Sequence, residues 1–161
     1  MDDLHPEMNL FDALPSEAFK KLLTISSRLR VEAGGILLRE GGEGDAIRIL
    51  MAGRAKVFKG GDEGEQIDLA ILGSGSVFGE MGVFDGLPNS ASVIALEDCV
   101  YLEIPRDRLF PFLKENPETA IILMRTLIYI LSERLRKSNV HATSVASTTS
   151  GLSNSLADLL K

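Results

Sequence analysis

The spacing of apolar residues changes twice along the chain and divides it into regions with different predicted structures. Between Ser16 and Leu23 apolar residues recur at helical spacing, which predicts a short amphipathic helix. From Leu29 to Ile104 short apolar runs alternate with glycine-rich turns, a pattern typical of β-strands. Helical spacing returns after Pro105. The predicted organisation is an N-terminal helical segment (1–27), a β region (28–104), C-terminal helices (105–140) and a Ser/Thr-rich tail (141–161).

The β region determines the predicted fold. Its clearest strands are Ile47–Met51, Ala55–Lys59, Gln66–Leu72, Ser92–Ala95 and Val100–Ile104. The first two flank Ala52-Gly53-Arg54, which indicates a β-hairpin. About eight strands at this spacing predict an antiparallel jelly-roll-like β-barrel (double-stranded β-helix). Together with a short N-terminal helix, a short helix between two strands and a long C-terminal helix, this is an α+β fold.

Two helices are predicted after the strands. The first covers Arg106–Lys114, and Pro111 inside it is expected to kink or split it. The second opens at Asn116 and runs to about Asn139. Its apolar residues repeat in heptads, which favours packing along the same helix of a second copy, and therefore a homodimer. The predicted seam consists of Ile121, Met124, Ile128, Leu131, Leu135 and Ser138. For the tail 141–161 the pattern leaves order and flexibility equally open.

Charge and cysteine content restrict the class of protein. The 161 residues carry a formal net charge of −6 at pH 7, whereas a nucleic-acid-binding face needs clustered basic residues, so no nucleic-acid partner is expected. The single cysteine, Cys99, cannot form an internal disulfide, and the acidic start Met1–Pro6 lacks the apolar core of a signal peptide. The most apolar run, Ala120–Leu131, is too short to span a membrane. We therefore expect a cytoplasmic protein without a membrane partner.

The sequence carries no pattern of enzyme chemistry. Its histidines, His5 and His141, and its one cysteine have no metal-ligand spacing. It also contains neither a nucleophile elbow nor a Walker-type phosphate loop. We expect no catalytic residues, no metal and no cofactor.

The most informative segment joins two predicted strands. Phe78–Val83 ends a strand and passes through a glycine turn into a short turn of helix, and Pro88–Val93 returns into a new strand. Backbone N–H groups at such a helix start have no internal partners and favour an anion, above all a phosphate. Glu80 fits beside a phosphate if the ligand also carries a sugar hydroxyl that donates to the carboxylate. A phosphate beside a ribose is a nucleotide.

This segment resembles the phosphate-binding cassette of the cyclic nucleotide-binding domain family, of the catabolite activator and kinase regulatory subunit type. The resemblance covers about residues 10–140 and includes the glycine spacing through Gly41, Gly44, Gly53, Gly73 and Gly79. It implies that Glu80 accepts a hydrogen bond from the ribose 2′-hydroxyl. It also implies a cassette arginine that pairs with the cyclic phosphate. Asn89 stands at that position here and brings hydrogen-bond donors but no charge.

The predicted ligand-binding residues all belong to the cassette 78–93. They are Gly79, Glu80, Met81, Gly82, Asn89, Ser90, Ala91 and Ser92. Structural alternatives remain open for several of them: Glu80 is also suited to cap a short helix, and Pro88-Asn89 is a strong turn signal. Arg48 is a candidate displaced cation for the phosphate, or else a solvated surface residue.

Two functions follow from these observations. The first is a cyclic nucleotide-binding sensor or regulatory module, with cAMP the ligand that the resemblance favours over cGMP or another anion. Its output would pass to an unknown downstream protein, since the roughly twenty residues after Asn139 are too few for a helix-turn-helix DNA-binding unit. The second is a degenerate domain that binds no nucleotide and serves as a protein-interaction or dimerisation scaffold. Glu80 favours the first function, and Asn89 favours the second.

Overall fold

The computed structural model describes the backbone of residues 9–61 and 64–159, and side chains within these ranges up to Val140. Two compact units are present, the first ending at Leu127 and the second beginning at Ile128. Two short helices open the described chain, α1 at Leu10–Ala13 and α2 at Ser16–Thr24. Helix α2 confirms the predicted N-terminal helix, and Pro15 occupies its N-cap position.

Eight strands follow within the described residues. They are β1 (Ser27–Val31), β2 (Ile36–Leu38), β3 (Ala46–Ala52), β4 (Ala55–Gly60), β5 (Gln66–Leu72), β6 (Val77–Phe78), β7 (Ser92–Ala95) and β8 (Cys99–Pro105). They form two antiparallel four-stranded sheets, ordered β1-β8-β3-β6 and β2-β7-β4-β5. The predicted antiparallel, jelly-roll-like α+β fold is therefore confirmed, with the strands arranged as two facing sheets and not as one closed barrel.

The predicted hairpin at Ala52-Gly53-Arg54 is wrong. Strand β3 pairs with β6 and β8, whereas β4 pairs with β5 and β7. The turn between β3 and β4 therefore carries the chain from one sheet to the other. A short turn between two apolar runs looks the same in both arrangements, because the pairing partners of each strand lie far away in the sequence.

Three further helices complete the described chain. Helix α3 (Glu80–Asp85) lies between β6 and β7, α4 covers Arg106–Glu115, and α5 covers Pro117–Leu159. Pro111 does not split α4. The carbonyl that loses a partner to the missing proline N–H belongs to Asp107, an exposed residue in the first turn, where water can replace the bond.

The long helix extends about twenty residues beyond its expected end at Asn139. The segment predicted as a Ser/Thr-rich tail is helical in its backbone up to Leu159. It contains one glycine and no proline, so nothing in it forces a helix to stop.

The two sheets enclose an apolar core. Its buried members are Leu37, Leu38, Leu50, Ala55, Leu72, Phe78, Val93, Ala95 and Cys99. Strand β3 is buried along Ala46–Leu50 on both faces. Because side chains alternate along a strand, Arg48 lies on the same face as Leu50, toward the space between the sheets, and Ile47 and Ile49 lie on the other.

Candidate functional site

The cassette begins with a glycine in a left-handed conformation. Gly79 follows β6 with φ of 74° and is the N-cap residue of α3. A Cβ atom at this position would lie 2.9 Å from the carbonyl oxygen of Ala46 and 3.1 Å from Nη1 of Arg48. Both the backbone angle and the close neighbours therefore favour glycine here.

Glu80 is the first residue of α3 and is only 3% exposed. A carboxylate at this place interacts favourably with the positive end of the short helix. Acidic residues are rarely buried this completely unless their charge is compensated. Its burial distinguishes Glu80 from the exposed capping acids Glu17 and Asp107, which stand in the first turns of α2 and α4.

Helix α3 packs against the loop that joins β2 and β3. A Cβ atom on Gly82 would lie 2.5 Å from Cα of Gly44 and 2.8 Å from the carbonyl oxygen of Leu87. The absence of a side chain at Gly82 thus lets the cassette helix touch the loop backbone directly.

Asn89 fastens the same loop from the other end of the cassette. Its backbone N–H donates to the carbonyl oxygen of Gly42 (2.9 Å), and its carbonyl oxygen accepts from the backbone N–H of Gly41 (2.8 Å). Its side-chain Nδ2 donates to the carbonyl oxygens of Arg39 and Glu43, each at 3.2 Å. The residue is 7% exposed, and its Oδ1 is the one buried side-chain oxygen or nitrogen without a hydrogen-bond partner among the described residues.

This arrangement matters for an anionic ligand. Both amide hydrogens of Asn89 are engaged by backbone carbonyls, and the remaining atom, Oδ1, is an acceptor. In this conformation the side chain offers no donor to a phosphate. The donor role predicted for the Asn89 side chain would therefore require it to release the loop.

The return segment brings the remaining predicted residues close to the helix. Ser90 Oγ lies 3.5 Å from Sδ of Met81, and both residues are exposed. Ala91 is buried, and Ser92 Oγ accepts a hydrogen bond from the backbone N–H of Glu40 at 2.9 Å. The cassette thus forms one cluster within the first unit, in which the predicted residues differ widely in their exposure.

Arg48 is a buried residue and not the solvated surface residue of the alternative reading. It is 9% exposed, and its Nε donates to Oε2 of Glu103 on the paired strand at 2.8 Å. Nη1 donates to the carbonyl oxygen of Ala46 at 3.1 Å, and Nη2 lies 3.8 Å from a carboxylate oxygen of Asp45. The sequence already indicates this burial, because Arg48 is the one charged residue in the otherwise apolar strand Ala46–Ala52.

Tyr101 lies close to this ion pair, and both charges affect the pKa of its hydroxyl. Burial raises the pKa of Tyr101, the Glu103 carboxylate raises it further, and the Arg48 guanidinium lowers it. Its ring packs against Phe78 with centroids 6.1 Å apart. The polar cluster of Arg48 and Glu103 therefore borders the apolar core between the sheets.

A surface groove of about 810 Å³ lies beside the cassette. Its walls come from the loop 41–45, the turn 86–88 and the start of α4. None of the eight predicted site residues lines it. The groove is therefore a separate feature from the cluster around Gly79 and Glu80.

The comparisons with known proteins place this chain in a family. The family model described as "Cyclic nucleotide-binding domain" matches residues 28–116, more than half of the chain. The chain belongs to the cyclic nucleotide-binding domain family, as its cassette resemblance indicated.

Several of the named relatives are regulators. The chain is 26% identical over 139 residues to a CRP-like cAMP-activated global transcriptional regulator of Mycobacterium tuberculosis, covering 86% of this chain and 60% of the relative. It superposes on the catabolite activator protein of Thermus thermophilus with a TM-score of 0.73 and 27% identity, covering 85% of this chain and 62% of that one. It also resembles the regulatory domain of Toxoplasma gondii PKA crystallised with cAMP, with a TM-score of 0.58, 27% identity and coverages of 66% and 41%. This chain thus spans about three fifths of the length of the first two relatives.

The described residues lack two further features. No helix there is long and apolar enough to cross a membrane. In the same part of the chain, no three His, Cys, Asp or Glu side chains are grouped so that they could hold a metal ion.

Proposed function

We propose that this chain is a regulatory module that binds a cyclic nucleotide at the cassette 78–93, with cAMP the favoured ligand. The observation that carries the proposal is the burial of Glu80 at the start of α3, next to the left-handed Gly79. A buried carboxylate suits a ligand hydroxyl, and the start of a helix, where the first N–H groups lack intrahelical partners, favours a phosphate. Two relatives, one a cAMP-activated regulator and one a regulatory domain crystallised with cAMP, support the choice of ligand.

The role is regulatory and not catalytic, and the output passes through the long helix to another protein. A ligand changes the arrangement of that helix only if it binds one arrangement more tightly than the other. This proposal includes homodimerisation through the long helix and a cytoplasmic location. It also includes a downstream protein that receives the output.

A second candidate function is favoured by Asn89. Its amide hydrogens are bound to Arg39 and Glu43, and its unpartnered atom is an acceptor, which repels a phosphate. A domain whose cassette is fastened to its own loop in this way could serve as a protein-interaction or dimerisation scaffold that binds no nucleotide.

Titration of the purified protein with cAMP, cGMP and cyclic dinucleotides, by calorimetry and by thermal melting, separates the two functions. A ligand that binds only the folded state raises the melting temperature, and it stabilises by about 2.7 kcal/mol at one hundred times its Kd. We expect cAMP to give heat and a rise in Tm at millimolar concentration or below. If no cyclic nucleotide gives heat or a rise in Tm at several millimolar, the sensor function is contradicted and the scaffold function remains.

The variant Glu80→Ala tests the residue on which the proposal depends. We expect it to remove most of the cAMP-induced rise in Tm. Glu17→Ala is the matched control, because it also removes a first-turn acid but from the exposed start of α2. Equal cAMP responses in both variants would contradict a ligand-binding role for Glu80.

A further inference from the structure

A buried arginine lies beside the start of the cassette helix. Arg48 Nη1 is 3.1 Å from where a Cβ of Gly79 would stand, and Gly79 immediately precedes the first turn of α3. The first N–H groups of a helix have no intrahelical partners. The guanidinium therefore lies beside Gly79, at the start of the cassette helix, where the proposed function puts the phosphate.

We propose that Arg48 supplies the positive charge for the ligand phosphate that the cassette lacks at Asn89. This inference rests on the proposed function, because it assigns a residue to the same site. The segment 78–93 contains no lysine or arginine, so a cation for the phosphate must come from another part of the fold.

The guanidinium has donors to spare. It carries five N–H bonds, of which Nε uses one on Glu103 and Nη1 uses one on Ala46. Nη2 lies 3.8 Å from the Asp45 carboxylate, which is too long for a hydrogen bond. In the proposed complex the second Nη1 hydrogen and both Nη2 hydrogens donate to phosphate oxygens, while Glu103 orients the guanidinium through Nε.

Stability alone does not account for an arginine at this position. The neighbouring residues of β3 from Ala46 to Leu50 are all apolar and buried. A buried ion pair is often replaceable by apolar residues without loss of stability, because desolvation of the two charges offsets their attraction. The ion pair with Glu103 is therefore better explained by a need for charge at this place.

Another described cation near the cassette, Arg106, is placed for a different contact. Its Nη1 lies 3.7 Å from where a Cβ of Gly86 would stand, at the C-terminal end of α3. That end carries the negative pole of a helix and disfavours an anion. The Arg106 guanidinium also lies over the Phe110 ring, 5.4 Å from its centroid.

The test measures cAMP affinity by calorimetry in the parent protein, in Arg48→Met and in Arg54→Met. Arg54→Met is the matched control, because it also removes one arginine from an arginine–glutamate pair, here the exposed pair with Glu97 at 3.2 Å. We expect Arg48→Met to weaken cAMP binding about ten-fold or more, since a hydrogen bond to a charged group is lost with its charge. Arg54→Met should stay within about two-fold of the parent, since an exposed pair of this kind contributes little.

The outcomes separate this inference from the proposed function. A parent that binds no cyclic nucleotide contradicts the proposed function itself. A parent that binds cAMP, with Arg48→Met binding equally well, overturns only the role of Arg48. If Arg48→Met does not fold, Arg48→Lys decides: it keeps the charge but loses the planar fork, so affinity should fall several-fold, and an unchanged affinity overturns the inference.

Discussion

At the position where the family cassette carries an arginine, Asn89 holds the β2–β3 loop through its side-chain amide and its backbone. The same side chain that leaves the proposed ligand site without this charge also stabilises the loop beside it. The net contribution of a hydrogen bond between neutral groups to the free energy of unfolding is about 1 kcal/mol. Under the proposed function, residue 89 gives up ligand affinity and gains a more stable loop.

This exchange makes a two-sided prediction for Asn89→Arg. We expect cAMP binding to tighten about ten-fold or more, because a guanidinium can take two phosphate oxygens at once. The Tm without ligand should fall, because the bonds to Arg39 and Glu43 are lost. Calorimetry and thermal melting measure the two effects separately.

Asn89→Ala is the control for that experiment. It loses the same two hydrogen bonds and adds no cation, so its Tm should fall without any gain in affinity. If Asn89→Arg binds cAMP no better than Asn89→Ala, either residue 89 does not face the phosphate or another cation, such as Arg48, already pairs with it.

At the level of secondary-structure elements, α3 and the β2–β3 loop are in close backbone contact at Gly82 and Gly44. A Cβ on Gly82 would lie 2.5 Å from Cα of Gly44, a backbone atom that cannot turn away. Alanine is the better helix former by about 1 kcal/mol, but a clash with backbone costs about 1–3 kcal/mol and decides the sign.

We therefore expect Gly82→Ala to lower the Tm by several degrees, as measured by thermal melting. Gly73→Ala is the matched control, since a Cβ there meets no atom within 4 Å and the backbone angle is not left-handed. Equal melting temperatures for the two variants would show that the loop moves away from α3 at little cost.

Helix α5 has several solvent-exposed apolar side chains. Ile121, Ile128 and Leu135, spaced seven residues apart, are each at least 60% exposed. Leu123, Leu127 and Ile130 of the same helix are buried. Exposed apolar residues repeated at heptad spacing favour a partner helix, which supports the proposed homodimer.

Changing Ile128 and Leu135 together to lysine should give a folded monomer, because like charges would face each other at two layers of the seam. Light scattering measures the mass of the parent, which should be twice that of the variant. Tyr129→Lys with Val140→Lys is the control, since both residues are exposed but lie off the heptad positions. A monomeric parent at high concentration, or a double lysine variant that stays dimeric, would refute the interface.

For the molecule as a whole, the thiol of buried Cys99 and the hydroxyl of partly buried Tyr101 predict how stability depends on pH. Burial raises the pKa of the Cys99 thiol from its ordinary value of 9.0, and the carboxylates of Glu97 and Asp98 raise it further. Burial likewise raises the pKa of Tyr101 from 10.0. Above these ordinary values the unfolded chain loses protons that the folded chain keeps, so the folded state is progressively disfavoured.

We expect the free energy of unfolding to be independent of these two groups below about pH 8.5, the unfolded pKa of a cysteine, and to decline above it. Urea unfolding at a series of pH values measures the decline. In Cys99→Ala the onset should shift toward the higher range in which tyrosine ionises. An unchanged onset in Cys99→Ala would show that the thiol does not contribute.

The sequence by itself determined the type and order of most elements, because their signals are local. The helix at Ser16, the strands from Gln66 to Leu72 and from Ser92 to Ala95, and the glycine turn at Gly79 each follow from spacing or turn chemistry within a few residues. The cassette motif also identified the family, since Gly79, Glu80 and Gly82 lie close together in the sequence.

The tertiary structure decided whatever depends on partners far apart in the chain. The turn at Gly53 joins two sheets because β3 pairs with β8, more than forty residues away, and no local signal distinguishes this from a hairpin. The hydrogen bonds of Asn89 reach back about fifty residues to Arg39 and Glu43, and Arg48 meets its partner Glu103 across a similar distance. Side-chain burial and hydrogen bonding arise only when the two sheets face each other, and these contacts determine which atoms the cassette offers to a ligand.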